Sequence, residues 1–117
     1  MYGLPKDFNA ARLVGRNLEL ICFNENQVYL HFDGKLTIMV ESKLSYQDNP
    51  ELAPRTIEIP ILQSNLMQLL GHSITDASGN NEGTLTMEFD NGHILQCLDQ
   101  PHYEAYQIKQ GDEELIV

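Results

Sequence analysis

The chain has 117 residues, 42% of them hydrophobic, and sets 17 acidic side chains against 7 basic ones, for a formal charge of −10. That length suits one domain spanning 1–117 around one core, and no apolar run approaches the roughly 18 residues that a membrane-crossing helix needs. The negative charge repels phosphate backbones and anionic lipid, so it argues against nucleic-acid and membrane partners and favours a cationic protein surface.

The opening stretch MYGLPKDFNAARL has neither a basic start nor a continuous apolar region. No secretory signal is read, and a cytoplasmic location is the expectation. Asp7 reads as the N-cap of a short helix that buries Ala10, Leu13 and Val14 and stops at Gly15. Strand-type alternation follows. Val28, Leu30 and Phe32 share one face of QVYLHFD, and Leu36, Ile38 and Val40 share one face of KLTIMVE. Pairing Phe32 with Lys35 across a two-residue Asp33-Gly34 turn would put these faces out of step, so a longer loop or a bulge is required there.

Asp48, Asn49, Pro50 and Pro54 mark an irregular excursion, and TIEI resumes as a short strand ended by Pro60. Ser64 then caps a second short helix, NLMQLL, which Gly71 ends. Downstream, GTLTMEFDNGHILQC reads as a hairpin. A two-residue Asn91-Gly92 turn would pair Phe89 with Ile94, facing Gln96 inward and Leu95 and Cys97 outward. The last strands flank Gln110-Gly111-Asp112. Cys22 and Cys97 lie in apolar strand-like runs and read as core thiols rather than a disulfide.

The chain repeats itself. A shift of 56 positions lays Asn9, Leu13 and Gly15 on Asn65, Leu69 and Gly71; a shift of 57 lays Phe32 and Asp33 on Phe89 and Asp90. The reading is an internal duplication, with pseudo-repeats at 5–59 and 60–117 and Asn91 as an extra residue in the second turn. The expected fold is mainly β, antiparallel sheets forming a sandwich or a barrel, with two short helices.

Chemical signatures are sparse. There is no CxxC, HExxH or GxSxG, and the glycines around GHSITDASGNNEG lack both the lysine and the helix of a phosphate loop. His93 and Cys97, four apart on an extended strand, stand about 13 Å from one another, too far for one tetrahedral metal. No catalytic residue, metal or cofactor is assigned, and the expectation is a binding protein rather than an enzyme. Two surfaces are candidates for a partner. Tyr29, His31 and Met39 lie on the outward face of the first hairpin, where aromatic and methionine side chains suit an interface. Glu104, Asp112, Glu113 and Glu114 gather near the C-terminal hairpin as an acidic cluster.

Across LVGRNLELICF, LHFDG, EIPILQSNLMQLLGHSITDAS, GTLTMEFDNGHILQC and HYEAYQIKQGDEELIV, the chain resembles a family of small, uncharacterised bacterial β-rich domains. Such domains are similar in style to immunity proteins of bacterial toxin systems. The resemblance implies binding and neutralising a cognate toxin, and a basic toxin would be drawn to a −10 inhibitor. A ligand-binding or sensing module with a cleft between the two halves is the alternative. Homodimerisation through a sheet edge is compatible with either.

Overall fold

The computed structural model describes residues 3–24, 26–58, 66–99 and 105–117. Its strands are β1 (Leu18–Phe23), β2 (Val28–Phe32), β3 (Leu36–Val40), β4 (Lys43–Gln47), β5 (Arg55–Glu58), β6 (Ile74–Gly79), β7 (Leu85–Phe89), β8 (Ile94–Cys97), β9 (Tyr106–Gln110) and β10 (Glu113–Ile116). They form two five-stranded sheets, ordered β1-β2-β3-β9-β10 and β5-β4-β8-β7-β6. Every pairing is antiparallel.

The expected helices are single 3-10 turns, Ala10–Leu13 and Leu66–Leu69, and no α-helix occurs among the described residues. Each turn has time for little else. Gly15 and Gly71 reverse the chain at φ +90° and +81°, and a helix this short cannot recover the cost of its nucleus. Asn9, not Asp7, caps the first turn, its side chain accepting from the Ala11 N–H at 3.1 Å. Ser64 lies outside the described residues.

Each sheet joins a three-stranded meander from one half of the chain to a hairpin from the other. The halves meet at an isolated bridge between Asn17 and Ser73. Around it the bonds are reciprocal: Leu18 N–H donates to His72 O and Gly71 N–H to Leu18 O, while Ile74 N–H donates to Arg16 O and Gly15 N–H to Ile74 O. Phe32 and Phe89 stack beneath this crossing with ring centroids 6.3 Å apart. Both meanders slip register at their first strand, between Leu18 and Leu20 and between Ile74 and Asp76.

The β2–β3 turn is lengthened as the alternation requires. Phe32 pairs with Leu36 across Asp33-Gly34-Lys35, with Gly34 at φ 67° and Lys35 at φ 60°. The second hairpin differs from its expected form. Phe89 N–H bonds His93 O, so the loop is Asp90-Asn91-Gly92 and its length equals that of the first; Asn91 is not an insertion. Met87 pairs with Leu95 and Thr86 with Gln96. Leu95 and Cys97 therefore face inward and Gln96 outward, reversing the expectation. Burying two apolar side chains outweighed the local Asn-Gly preference for a two-residue turn.

The inward faces of both sheets share one core. Val28, Leu30, Ile38 and Val40 from one sheet meet Leu44, Tyr46, Leu85, Met87 and Leu95 from the other. Leu13 and Leu69 of the two 3-10 turns close it, each fully buried. The Tyr46 hydroxyl contacts His93 Nδ1 at 2.6 Å, and Tyr106 OH donates to Gly83 O at 2.6 Å. Burial pushes Tyr46 up to about 12, Asp48 adding to the rise and Arg55 opposing it. Tyr106 is raised as well, chiefly by burial.

Candidate functional site

Register fixes what each sheet shows to the outside. On the first sheet one row runs Cys22, Tyr29, Met39, Gln107, Ile116, each residue paired with the next across β1, β2, β3, β9 and β10. The adjacent row runs Leu20, His31, Thr37, Lys109, Glu114. The structure thus brings Tyr29, His31 and Met39 onto the same face as Glu114, which the sequence had left as two separate patches. The route is topological: β9 and β10 cross from the second half of the chain to lie beside β3.

Side chains on this face brace one another. Tyr29 and His31 stack with centroids 5.9 Å apart and planes 5° from parallel. Tyr29 OH donates to Gln27 Oε1 at 2.9 Å, and Gln27 Nε2 donates to Glu41 Oε1 at 3.0 Å. His31 Nδ1 and Thr37 Oγ1 are hydrogen-bonded at 3.0 Å. Met39, expected on the surface, is on the outward face but only 7% exposed. It fills the space beneath its neighbours, so Tyr29 and His31, both half-buried, supply the accessible aromatic surface.

The acidic cluster divides. Glu114 lies on the outward row beside Lys109, and Asp112 is exposed in the turn. Glu113 instead forms an ion pair with Arg12, whose Nε also donates to Gln110 Oε1 at 2.6 Å. Glu104 lies outside the described residues. Cys22 departs from its expected burial and is half-buried on this outward row, whereas Cys97 is fully buried and its thiol is pushed up to about 12 by that burial.

The matching row of the second sheet is different in chemistry. It runs Ser78, Thr86, Gln96, Ser45, Thr56 across all five strands, with Gln96 Nε2 donating to Thr86 Oγ1 at 3.0 Å. Hydroxyls and amides stand where the first sheet has a thiol, a tyrosine, a methionine and an isoleucine. Asp76 lies directly opposite Glu88 on this face, an arrangement of like charges that costs stability.

Among the described residues, the Phe32–Phe89 stack, Leu13, Leu18, Leu69 and Ile74 fill the crossing of the halves. Concavities instead flank the segment that carries Pro5 and Phe8. One, of about 340 Å³, is lined by apolar Phe8, Ile108 and Leu115 and by charged Arg12 and Glu113, among others. The other, of about 460 Å³, includes Leu4, Lys6 and Asn80. Among the described residues no group of three or more His, Cys, Asp or Glu is placed to hold a metal, and no buried side-chain nitrogen or oxygen lacks a hydrogen-bond partner.

The model of DUF6188, a family of unknown function, matches residues 10–117, and the chain belongs to that family. No curated protein matches the chain, and no solved structure does.

Proposed function

We propose that this DUF6188 chain is a non-enzymatic binding protein whose first sheet presents its outward face to a basic protein partner, and that neutralising a toxin domain is the specific form of that role. The observation that carries the reading is the contrast between the two outward rows: Cys22, Tyr29, Met39, Gln107 and Ile116 on one sheet against Ser78, Thr86, Gln96, Ser45 and Thr56 on the other. Tyr29, with His31 stacked beside it over the buried Met39, supplies aromatic contact area to an interface, whereas a row of hydroxyls and amides is well served by water. Glu41 is linked to Tyr29 through Gln27, Glu114 stands three strands from His31 in the same row, and a net charge of −10 would steer a cationic surface to the chain. The matched register slips and reciprocal bonds at the crossing support a further part of the proposal, that the scaffold arose by internal duplication and its two outward faces then diverged.

The test is capture from a source lysate with tagged chain, at low and high salt, beside the variants Tyr29→Ala, Glu114→Lys and Thr86→Ala. A basic polypeptide held by the parent chain and by Thr86→Ala, but weakened by salt and by either first-sheet variant, is the expected result. Retention that ignores Tyr29→Ala and Glu114→Lys would remove this face from consideration. If the captured chain is instead released by Thr86→Ala, the second sheet is the binding face.

A further inference from the structure

We propose that β1 pairs antiparallel with β1 of a second copy of this chain, about a two-fold axis through Cys22, to join two five-stranded sheets into one continuous sheet. The proposal is independent of the basic partner and rests on the edges of the sheets. An edge strand leaves backbone N–H and C=O groups open to pairing, and proteins guard such strands with charge, brevity or irregularity. The edges here are β1, β10, β5 and β6. Strand β10 carries Glu113 and Glu114, the four-residue β5 carries Arg55 and Glu58, and β6 carries Asp76. Strand β1 is the exception. Its charge, Glu19, sits at the register slip, and beyond it Leu20, Ile21, Cys22 and Phe23 run without a charge.

The exposure is unusual for such residues. Leu20 is 52% and Phe23 42% exposed, and Leu70, 38% exposed, is carried next to the strand because Gly71 N–H donates to Leu18 O. Strand β6 serves as an internal control. It has the same position in its own sheet and the same slip, yet Asp76 stands where β1 has Leu20 and Gly79 stands where β1 has Phe23.

Backbone direction sets the register. Asn24 N–H donates to Gln27 O, so Asn24 faces β2, and alternation then turns the N–H and C=O of Ile21 and Phe23 to the free side. A two-fold axis at Cys22 places Ile21 of each copy opposite Phe23 of the other, where both bonds of each pair can form. Cys22 meets Cys22 of the second copy at a non-hydrogen-bonded site, where Cα atoms lie about 4.5 Å apart, within the range of a disulfide. Charge selects this occupant. A cationic partner finds nearly nothing to recognise along Leu20–Phe23, and two copies with −10 each meet less repulsion along an uncharged strand than along an acidic one.

A contact this short gives an exchanging dimer, and salt strengthens it by screening the repulsion between copies. That sign is opposite to the one expected for a basic partner. The experiment is sedimentation velocity on the purified chain from about 10 µM to about 1 mM, at about 0.05 and about 0.5 M salt, with diamide cross-linking of the same samples. Diamide takes two electrons and two protons from a pair of Cys22 thiols, leaving a disulfide and the reduced hydrazine. The expected result is a dimer that grows with concentration and with salt, yields a Cys22–Cys22 peptide, and is weakened about tenfold or more by Leu20→Lys. Leu20 is already half in solvent, and the cross-link on the unaltered chain needs no variant. A monomer throughout, or a dimer that gives no Cys22–Cys22 peptide and ignores Leu20→Lys, would overturn the proposal.

Discussion

Lys35 holds a backbone conformation that its side chain opposes. It sits at φ 60°, the one positive-φ residue other than glycine among those described, while Gly92, in the same place of the equally long β7–β8 loop, has φ 86°. A non-glycine residue in this region pays about 1 kcal/mol. Lys35→Gly removes that strain but adds about 0.4–1 kcal/mol of chain entropy to the unfolded state, so the net gain is at most about half a kcal/mol. Lys35→Asn keeps most of the relief without the glycine entropy, because asparagine tolerates the left-handed region, and should gain about 0.5–1 kcal/mol. Gly92→Ala runs the argument backwards. A Cβ there meets nothing within 4 Å, so its net cost, about 1 kcal/mol of strain less about 0.4–1 kcal/mol of chain entropy lost from the unfolded state, is at most about half a kcal/mol and purely conformational. Urea titrations of the parent chain, Lys35→Ala, Lys35→Gly, Lys35→Asn and Gly92→Ala at matched m-values would measure the series. Lys35→Ala separates backbone from side chain and should be neutral. Loss of more than about 1 kcal/mol in Lys35→Ala and Lys35→Asn alike would refute the reasoning, since the lysine side chain would then be holding more than the strain costs.

Thiol labelling of the native chain should modify Cys22 and leave Cys97 untouched until denaturant is added, because Cys97 is fully buried with its thiol raised to about 12; two equivalents reacting natively would contradict that burial. Asp90 carries a pH dependence. The hydrogen bond from His72 Nδ1 at 2.5 Å and that from Ser73 N–H hold its carboxyl below the ordinary 3.8. A carboxyl depressed on folding stabilises above its unfolded pKa, and that contribution fades as pH falls through the folded value. Asp90→Asn should therefore lower stability at neutral pH, and its deficit should shrink in urea titrations below pH 3.8; a deficit that is constant with pH would place the effect elsewhere.

What the sequence made legible was local. Alternation in VYLHF and LTIMV placed Leu30 and Ile38 in the core and Tyr29 and His31 outside, because a pleated strand fixes faces with no knowledge of its neighbours. Turn length was less legible. The Asn-Gly rule is a local preference, whereas the length of the Asp90–Gly92 loop is settled by which register buries Leu95 and Cys97. The crossing of β4 and β9 into the opposite sheets was invisible, since strand pairing across sixty or so residues leaves no periodic trace in the chain. This is why the sequence could propose Tyr29 and Glu114 but could not see them on one face, and why Gln107 and Ile116 went unnoticed.

The paired positions of the two halves separate scaffold from function. Leu13 and Leu69, Leu18 and Ile74, and Phe32 and Phe89 match in type and are all buried. Asp33 and Asp90 match because each accepts a backbone N–H at the crossing, from Asn17 and Ser73. Packing and hydrogen bonding account for every one of these likenesses, so none of them points to a partner. The unlike pairs are elsewhere. Leu20 stands against Asp76, Tyr29 against Thr86, His31 against Glu88 and Met39 against Gln96, and all of them lie on the outward faces. The scaffold places no demand on those positions that both sets of residues do not meet, for the two sheets keep the same strand order with either. Apolar and aromatic groups on one outward face therefore have no counterpart requirement in folding. Contact with another molecule, the role proposed for the edge at β1 and for the face that Tyr29 and His31 share, would account for their cost in exposed surface.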